Sequence, residues 1–247
     1  MVSVRRSLNA KTEAGSSNEE VKKAMNAREY FQTSIVPCQE CARDPVIAES
    51  LTPQKLEPFG ADDERYVLLL GHSPKVRTSS EIDTTLDLNY DRQLKRYIVN
   101  EVLTPLGIDL SVCYATNAVK CLTKTMPEEI ASDPPFMERA FSHCKRHLIH
   151  ELAVVRPRLL ISVSQSVSNL LQILFWPSRN VRPMKDIFAT LLSIEANGEA
   201  ISWIPVVHVP KAKVLRHYFP EQTTRLAALS GDVQRLLSEA DHRRDGE

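Results

Sequence analysis

The sequence predicts an α/β fold, with three α/β/α layers around a central parallel sheet of four strands. Three observations predict it. Four short runs are apolar on both faces, as strands buried in a parallel sheet are. The segments between them place apolar residues at helical spacing. Runs and helical segments alternate along the chain, which builds a parallel sheet covered on both sides.

The elements follow in order. The first 20 residues are polar and poor in aromatics and read as a loose arm. Residues 19–31 have helical composition, with Val21, Met25 and Tyr30 inward. Pro37 breaks the chain before Cys38, and Pro45, Pro53 and Pro58 predict an irregular stretch after it. The apolar runs are 66–71, 112–117, 159–163 and 203–208. Helix 91–106, through Leu94, Tyr97, Ile98 and Val102, joins the first two. Helix 134–155, through Phe141, Leu148, Ile149 and Leu152, joins the next two. Helix 166–176 follows the third run through Val167, Leu170, Leu171 and Leu174. Residues 223–240 form a terminal amphipathic helix through Leu226, Leu229, Val233 and Leu237. The expected organisation is an arm (1–20), one domain (21–220), and a C-terminal helix with a short tail (221–247).

The 247 residues are 43% hydrophobic and 25% charged, as in a folded chain that buries a sizeable core. Lys plus Arg and Asp plus Glu balance at 31 each, so a nucleic-acid-binding face has to be a local patch. No apolar run is long enough to cross a bilayer. Residues 1–9 carry arginines with no apolar stretch behind them, unlike a secretory signal. The expectation is a cytoplasmic protein with no membrane partner. In that reducing compartment cysteines point to metal or redox chemistry rather than disulfides. Five cysteines fit four ligands and one bystander.

In a parallel α/β sheet, ligands bind outside the carboxyl ends of the strands. The apolar runs end on Gly71-His72-Ser73-Pro74, Asn117, Ser164-Gln165 and His208, each with a polar group.

Three segments carry a resemblance. Cys38-Gln39-Glu40-Cys41 is a C-x2-C pair. Thr116-Asn117-Ala118-Val119-Lys120-Cys121 follows the second run. Cys144 lies in helix 134–155, ahead of Arg156-Pro157-Arg158 and the third run. In type and order these segments resemble the iron–sulfur uracil-DNA glycosylases, over roughly Cys38 to Tyr218. The resemblance implies a uracil-DNA glycosylase-like fold and Cys38, Cys41, Cys121 and Cys144 as metal ligands. The interval from Cys121 to Cys144 is longer than usual, with 126–135 as the insertion. Four thiolates suit a [4Fe–4S] cluster or tetrahedral zinc. The wide second spacing favours the cluster, and zinc is the alternative. Cys113 reads as a core residue, and His143 and His147 as surface residues of their helix.

The resemblance also implies a chemistry. A glycosylase reads a base in single-stranded or flipped form, aims donors at the departing base and orients water, often with a carboxylate. Asn117 has an amide suited to the uracil edge. His208 resembles the histidine that stabilises the leaving base, with one residue inserted before Pro210. The family's Gly-Glu-x-Pro-Gly turn reads Gly71-His72-Ser73-Pro74-Lys75 here. Gly71 and Pro74 keep the turn, and His72 and Ser73 stand where the acidic residue would be. His72, Ser73 and His208 are therefore the candidate catalytic residues. The stacking aromatic of the family's Pro-Phe-Val-Gly segment is absent, and residues 86–90 take its place. Within them Tyr90 offers a stacking surface and Asp87 a carboxylate, although Asp87 and Asp91 suit a helix start equally well. Lys75, Arg77, Lys211, Lys213 and Arg216 either contact phosphates or belong to ordinary charged loops. Three function classes remain open: a DNA glycosylase for uracil or another deaminated or modified base, a catalytically inactive nucleic-acid-binding relative, and a metal-stabilised interaction domain.

Overall fold

The computed structural model describes residues 25–62, 65–74, 85–124, 134–208 and 219–244. The strands are β1 Leu51–Lys55, β2 Val67–Gly71, β3 Cys113–Asn117, β4 Cys121–Thr123, β5 Leu159–Val163, β6 Leu192–Ala196 and β7 Glu199–Val206. Among the described residues they form two sheets, a ribbon of β1 and β4 and a five-stranded sheet in the order β3-β2-β5-β7-β6. Val67 to Leu70 are fully buried, as are Leu159 to Ile161. This is the burial expected of strands covered on both faces.

The four apolar runs lie in this one sheet and are mutually parallel. The chain leaves β2 for β3 on one side, then returns past β2 to β5 and on to β7. Right-handed crossovers therefore put the β2–β3 connection and the β3–β5 connection on opposite faces. The first connection carries Gln93–Tyr97, a π-helical stretch Ile98–Leu103 and Thr104–Leu106. The second carries the helix Pro134–Val155, and Gln165–Phe175 follows β5. The C-terminal helix Phe219–Arg244 packs on the Thr104–Leu106 turn, with Gln234 Nε2 donating to the carbonyls of Leu106 and Gly107. Leu226, Val233 and Leu237 join the same core cluster as the sheet.

Four expectations need correction. Met25, expected inward, is exposed. The sheet has five strands and is mixed, because β6 pairs antiparallel with β7. Its burial alternates, as in an edge strand with one wet face. Asn197 and Gly198, at φ 54° and 79°, make the two-residue turn joining it to β7. The proline-rich stretch after Cys41 is not wholly irregular. Pro53 lies inside β1, which has a single partner and a break in register, so its missing N–H leaves no ladder bond unmade. His147 is no surface residue, being 3% exposed, and His143 is half-buried against Asp44. The N-terminal arm and the 126–133 part of the expected insertion lie outside the described residues. Among the described residues no helix is long and apolar enough to cross a membrane.

The interior polar groups are paired where they support strands. Trp203 Nε1 donates to Ser162 Oγ at 2.8 Å, and Ser162 and Ser168 share a 2.9 Å hydroxyl bond. Leu69, fully buried at the centre of β2, has no such compensation to lose. Leu69→Ala is expected to lower the unfolding free energy by about 2–5 kcal/mol, read as a lower urea midpoint with an unchanged slope.

Candidate functional site

β2 leads to β3 on one side and β5 leads to β7 on the other, so their carboxyl ends flank a topological switch point. The turn after β2 is laced to the turn after β3. Ala118 N donates to Gly71 O and Val119 N to His72 O, each at 2.9 Å, and Thr123 N donates to Pro74 O at 2.9 Å. Gly71 has to be glycine. A Cβ there would lie 2.4 Å from Asn117 Oδ1 and 2.4 Å from Leu86 Cδ2. Asn117, 4% exposed, ends β3 directly beside it in register. The structure thus brings Gly71, His72, Ser73, Pro74 and Asn117 to one sheet edge.

His72 Nδ1 lies 3.0 Å from Ser73 Oγ, while its buried Nε2 has no hydrogen-bond partner. Burial pushes the imidazole down from its ordinary 6.5 to about 4, and the nearby charge of His208 adds to the effect. The ring is therefore neutral at pH 7. His208 is exposed, but the chain before it is held firmly. Val207 N donates to Gln222 Oε1 at 2.8 Å, the Tyr97 hydroxyl donates to Val207 O, and Gln222 Nε2 donates to Tyr97 Oη at 2.9 Å. Gln222 comes from the C-terminal helix and is fully buried.

The segment carrying Asp87 and Tyr90 packs against β3. Leu86 and Asp87 are consecutive left-handed residues, at φ 60° and 57°. Asp87 is buried and ion-paired with Arg92 at 3.1 Å, and the Arg92 guanidinium sits 5.1 Å from the Tyr90 ring centroid. Tyr90 is thus backed by a cation, and Asp87 is not a solvated helix-start residue. Lys75, Arg77, Lys211, Lys213 and Arg216 lie outside the described residues.

Three of the four candidate ligand cysteines, Cys41, Cys121 and Cys144, lie together beside the β3–β4 turn. The Cys41 thiol is close enough to those of Cys121 and Cys144 to perturb their ionisation, and all three are buried. Cys38, half-buried, lines a cavity of about 240 Å³ together with Cys41 and Cys121. Its two thiol neighbours and burial push the Cys41 thiol far up. Cys41 in turn lowers Cys121, and lowers Cys144 to about 7. Hydrogen-bond donors approach the set. Lys55 Nζ donates to Cys38 O, Arg146 Nη2 to Cys38 Sγ at 3.7 Å, and Lys120 N to Cys144 Sγ at 3.5 Å. Among the described residues no three His, Cys, Asp or Glu side chains are disposed around a single metal-ion position. The donor set is sulfur only, with Lys55 and Arg146 beside Cys38. Cys113 stands apart, fully buried in β3, its thiol raised to about 12 by burial.

Sequence reasoning missed the residues that hold these parts together. Asp44 accepts from Arg139 Nε at 2.6 Å and His143 Nε2 at 2.8 Å, tying the Cys41 loop to the helix Pro134–Val155. Glu151, 1% exposed on that helix, accepts from the Tyr114 hydroxyl at 2.7 Å and Thr116 Oγ1 at 2.8 Å, and pairs with Lys120. The helical stripe 144, 147, 148, 151, 152 was the available signal, since it puts Glu151 on the face of Cys144 and Leu148. No protein-family model matches the chain, and no curated protein matches it.

The state of His72 gives a pH prediction. Its folded pKa lies below its unfolded one, so on acidification the unfolded chain binds the proton first. Stability is expected to fall between about pH 6.5 and pH 4. His72→Gln is expected to flatten that slope in urea titrations, leaving the part due to His147, which is lowered in the same direction.

Proposed function

We propose that the chain is an iron–sulfur uracil-DNA glycosylase-like protein, removing uracil or another deaminated or modified base from DNA by hydrolysis of the N-glycosidic bond. One observation carries the reading. The Gly71–Pro74 turn and Asn117, known from the sequence only as separate segments, lie at one sheet edge, bonded through the turn 118–123 to the site of the cysteines.

In this reading, Cys38, Cys41, Cys121 and Cys144 would hold the [4Fe–4S] cluster, with zinc as the alternative, and its chemistry there is structural: it balances thiolate charge and cross-links three chain segments. The reaction is left to side chains. Asn117 offers its amide to the Watson–Crick edge of a flipped base, one donor and one acceptor. His208, at the switch-point edge, donates to the oxygen or nitrogen that gains negative charge as the base departs. His72, neutral at pH 7 and paired with Ser73, orients the attacking water. Tyr90, backed by Arg92, supplies a stacking face.

A second reading has its own observation. The turn 71–75 lacks an acidic residue, which favours a relative that binds single-stranded or damaged DNA without releasing the base.

The test is anaerobic purification, iron and sulfide analysis, and incubation with uracil-containing single-stranded DNA. The expected result is about four irons per chain and abasic sites, whose formation falls about 100-fold or more in His208→Ala and is lost in Asn117→Ala. A cluster with salt-dependent DNA binding and no abasic sites selects the second reading. A chain with neither iron nor zinc overturns both.

A further inference from the structure

We infer that Glu151 is a positioning residue of the base pocket, coupling the cysteine site to Asn117 and His72 through the turn after β3. The inference deepens the proposed function and rests on that reading for its consequence, but its geometry stands on the network alone.

Glu151 lies two helical turns beyond Cys144, on the same face of the helix Pro134–Val155. One carboxylate oxygen accepts from Tyr114 and Thr116, both on β3. The other takes the Lys120 ammonium, which also donates to Thr116 Oγ1 at 2.7 Å. Lys120 therefore has two anchors, its side chain on Glu151 and its backbone N–H on the Cys144 thiol. Between Thr116 and Lys120 stand only Asn117, Ala118 and Val119. The first faces Gly71, and the next two donate their N–H groups to Gly71 O and His72 O. Removing the charge at 151 leaves a buried ammonium with no counter-charge. The strain then falls on the three residues that connect the base-reading amide to the His72 turn.

The test reads the coupling first and the chemistry second. In Glu151→Gln, amide hydrogen exchange at Ala118 and Val119 is expected to speed up about tenfold relative to the Leu160 amide in β5. Discrimination between uracil and thymine in otherwise identical single-stranded oligonucleotides is expected to fall at least tenfold, with iron and sulfide content retained. Leu148→Ala weakens the same helix through its apolar face and is expected to leave both ratios unchanged. Uniform exchange across the sheet in Glu151→Gln, or an equal loss of discrimination in Leu148→Ala, overturns the inference. If Glu151→Gln does not fold, Thr116→Val removes a single arm of the network, and unchanged exchange at Ala118 and Val119 in that variant overturns it too. A wild-type protein that shows the exchange coupling but no preference for uracil overturns the proposed function and not this inference.

Discussion

The ion pair between Lys120 and Glu151 is the contact on which the rest of the site hangs. Both side chains are nearly inaccessible, and removing two charges from water is expensive unless every remaining hydrogen-bonding group is used. Here Glu151 takes three donors, from Tyr114, Thr116 and Lys120. The pair is directional in a way an apolar contact is not. It ties the carboxyl end of β3 to the helix Pro134–Val155 at one rotational setting, and the two sides of the molecule with chemistry on them, sheet edge and thiols, meet across it.

Charge explains why the cysteine site stays compact. Three buried thiols close together cannot all ionise, and Cys41 is pushed up while Cys121 and Cys144 are pulled down. Lys55, Arg146 and the Lys120 backbone N–H supply positive charge and donors to the same place. Cys38, the least buried of the four, receives the most outside help: Arg146 on its sulfur and Lys55 on its carbonyl. Asp44, held by Arg139 and His143, pins the loop from its other end. Each segment bearing a cysteine is thus attached to the long helix by a charged contact.

What was legible in the sequence was whatever repeats. The four buried strands and the long helices show as unbroken apolar runs and as 3.6-residue spacing, and residues 134–155 match the helix end to end. The edge strand β6 was missed because alternation over five residues is a weak signal beside its neighbours. Its Asn197-Gly198 turn, the strongest short-range hairpin signal, was there to be used. β1 was hidden by Pro53, which a strand with one partner tolerates. The polar residues that build the site were harder. Asn117 and His72 are visible because they end apolar runs. Glu151, His147 and Gln222 sit inside amphipathic helices, where a polar residue reads as solvent-facing until tertiary packing turns it inward. Their partners are 35, 117 and 125 residues away in sequence for Thr116, Tyr30 and Tyr97 respectively, and no local pattern carries such a distance.

The segment at Leu86 and Asp87 shapes the carboxyl edge of the sheet. Two consecutive non-glycine residues in the left-handed region cost on the order of 1–3 kcal/mol each, so the surroundings must over-determine them. They do: Thr85 N donates to Glu57 O at 2.8 Å, Asp87 is ion-paired with Arg92, and Leu86 reaches the space that any side chain at position 71 would need. The strain sets Leu86 against Gly71 and Asn117 and lays Arg92 behind Tyr90. Leu86 then borders the amide of Asn117, while the neutral ring of His72 follows Gly71 across the turn.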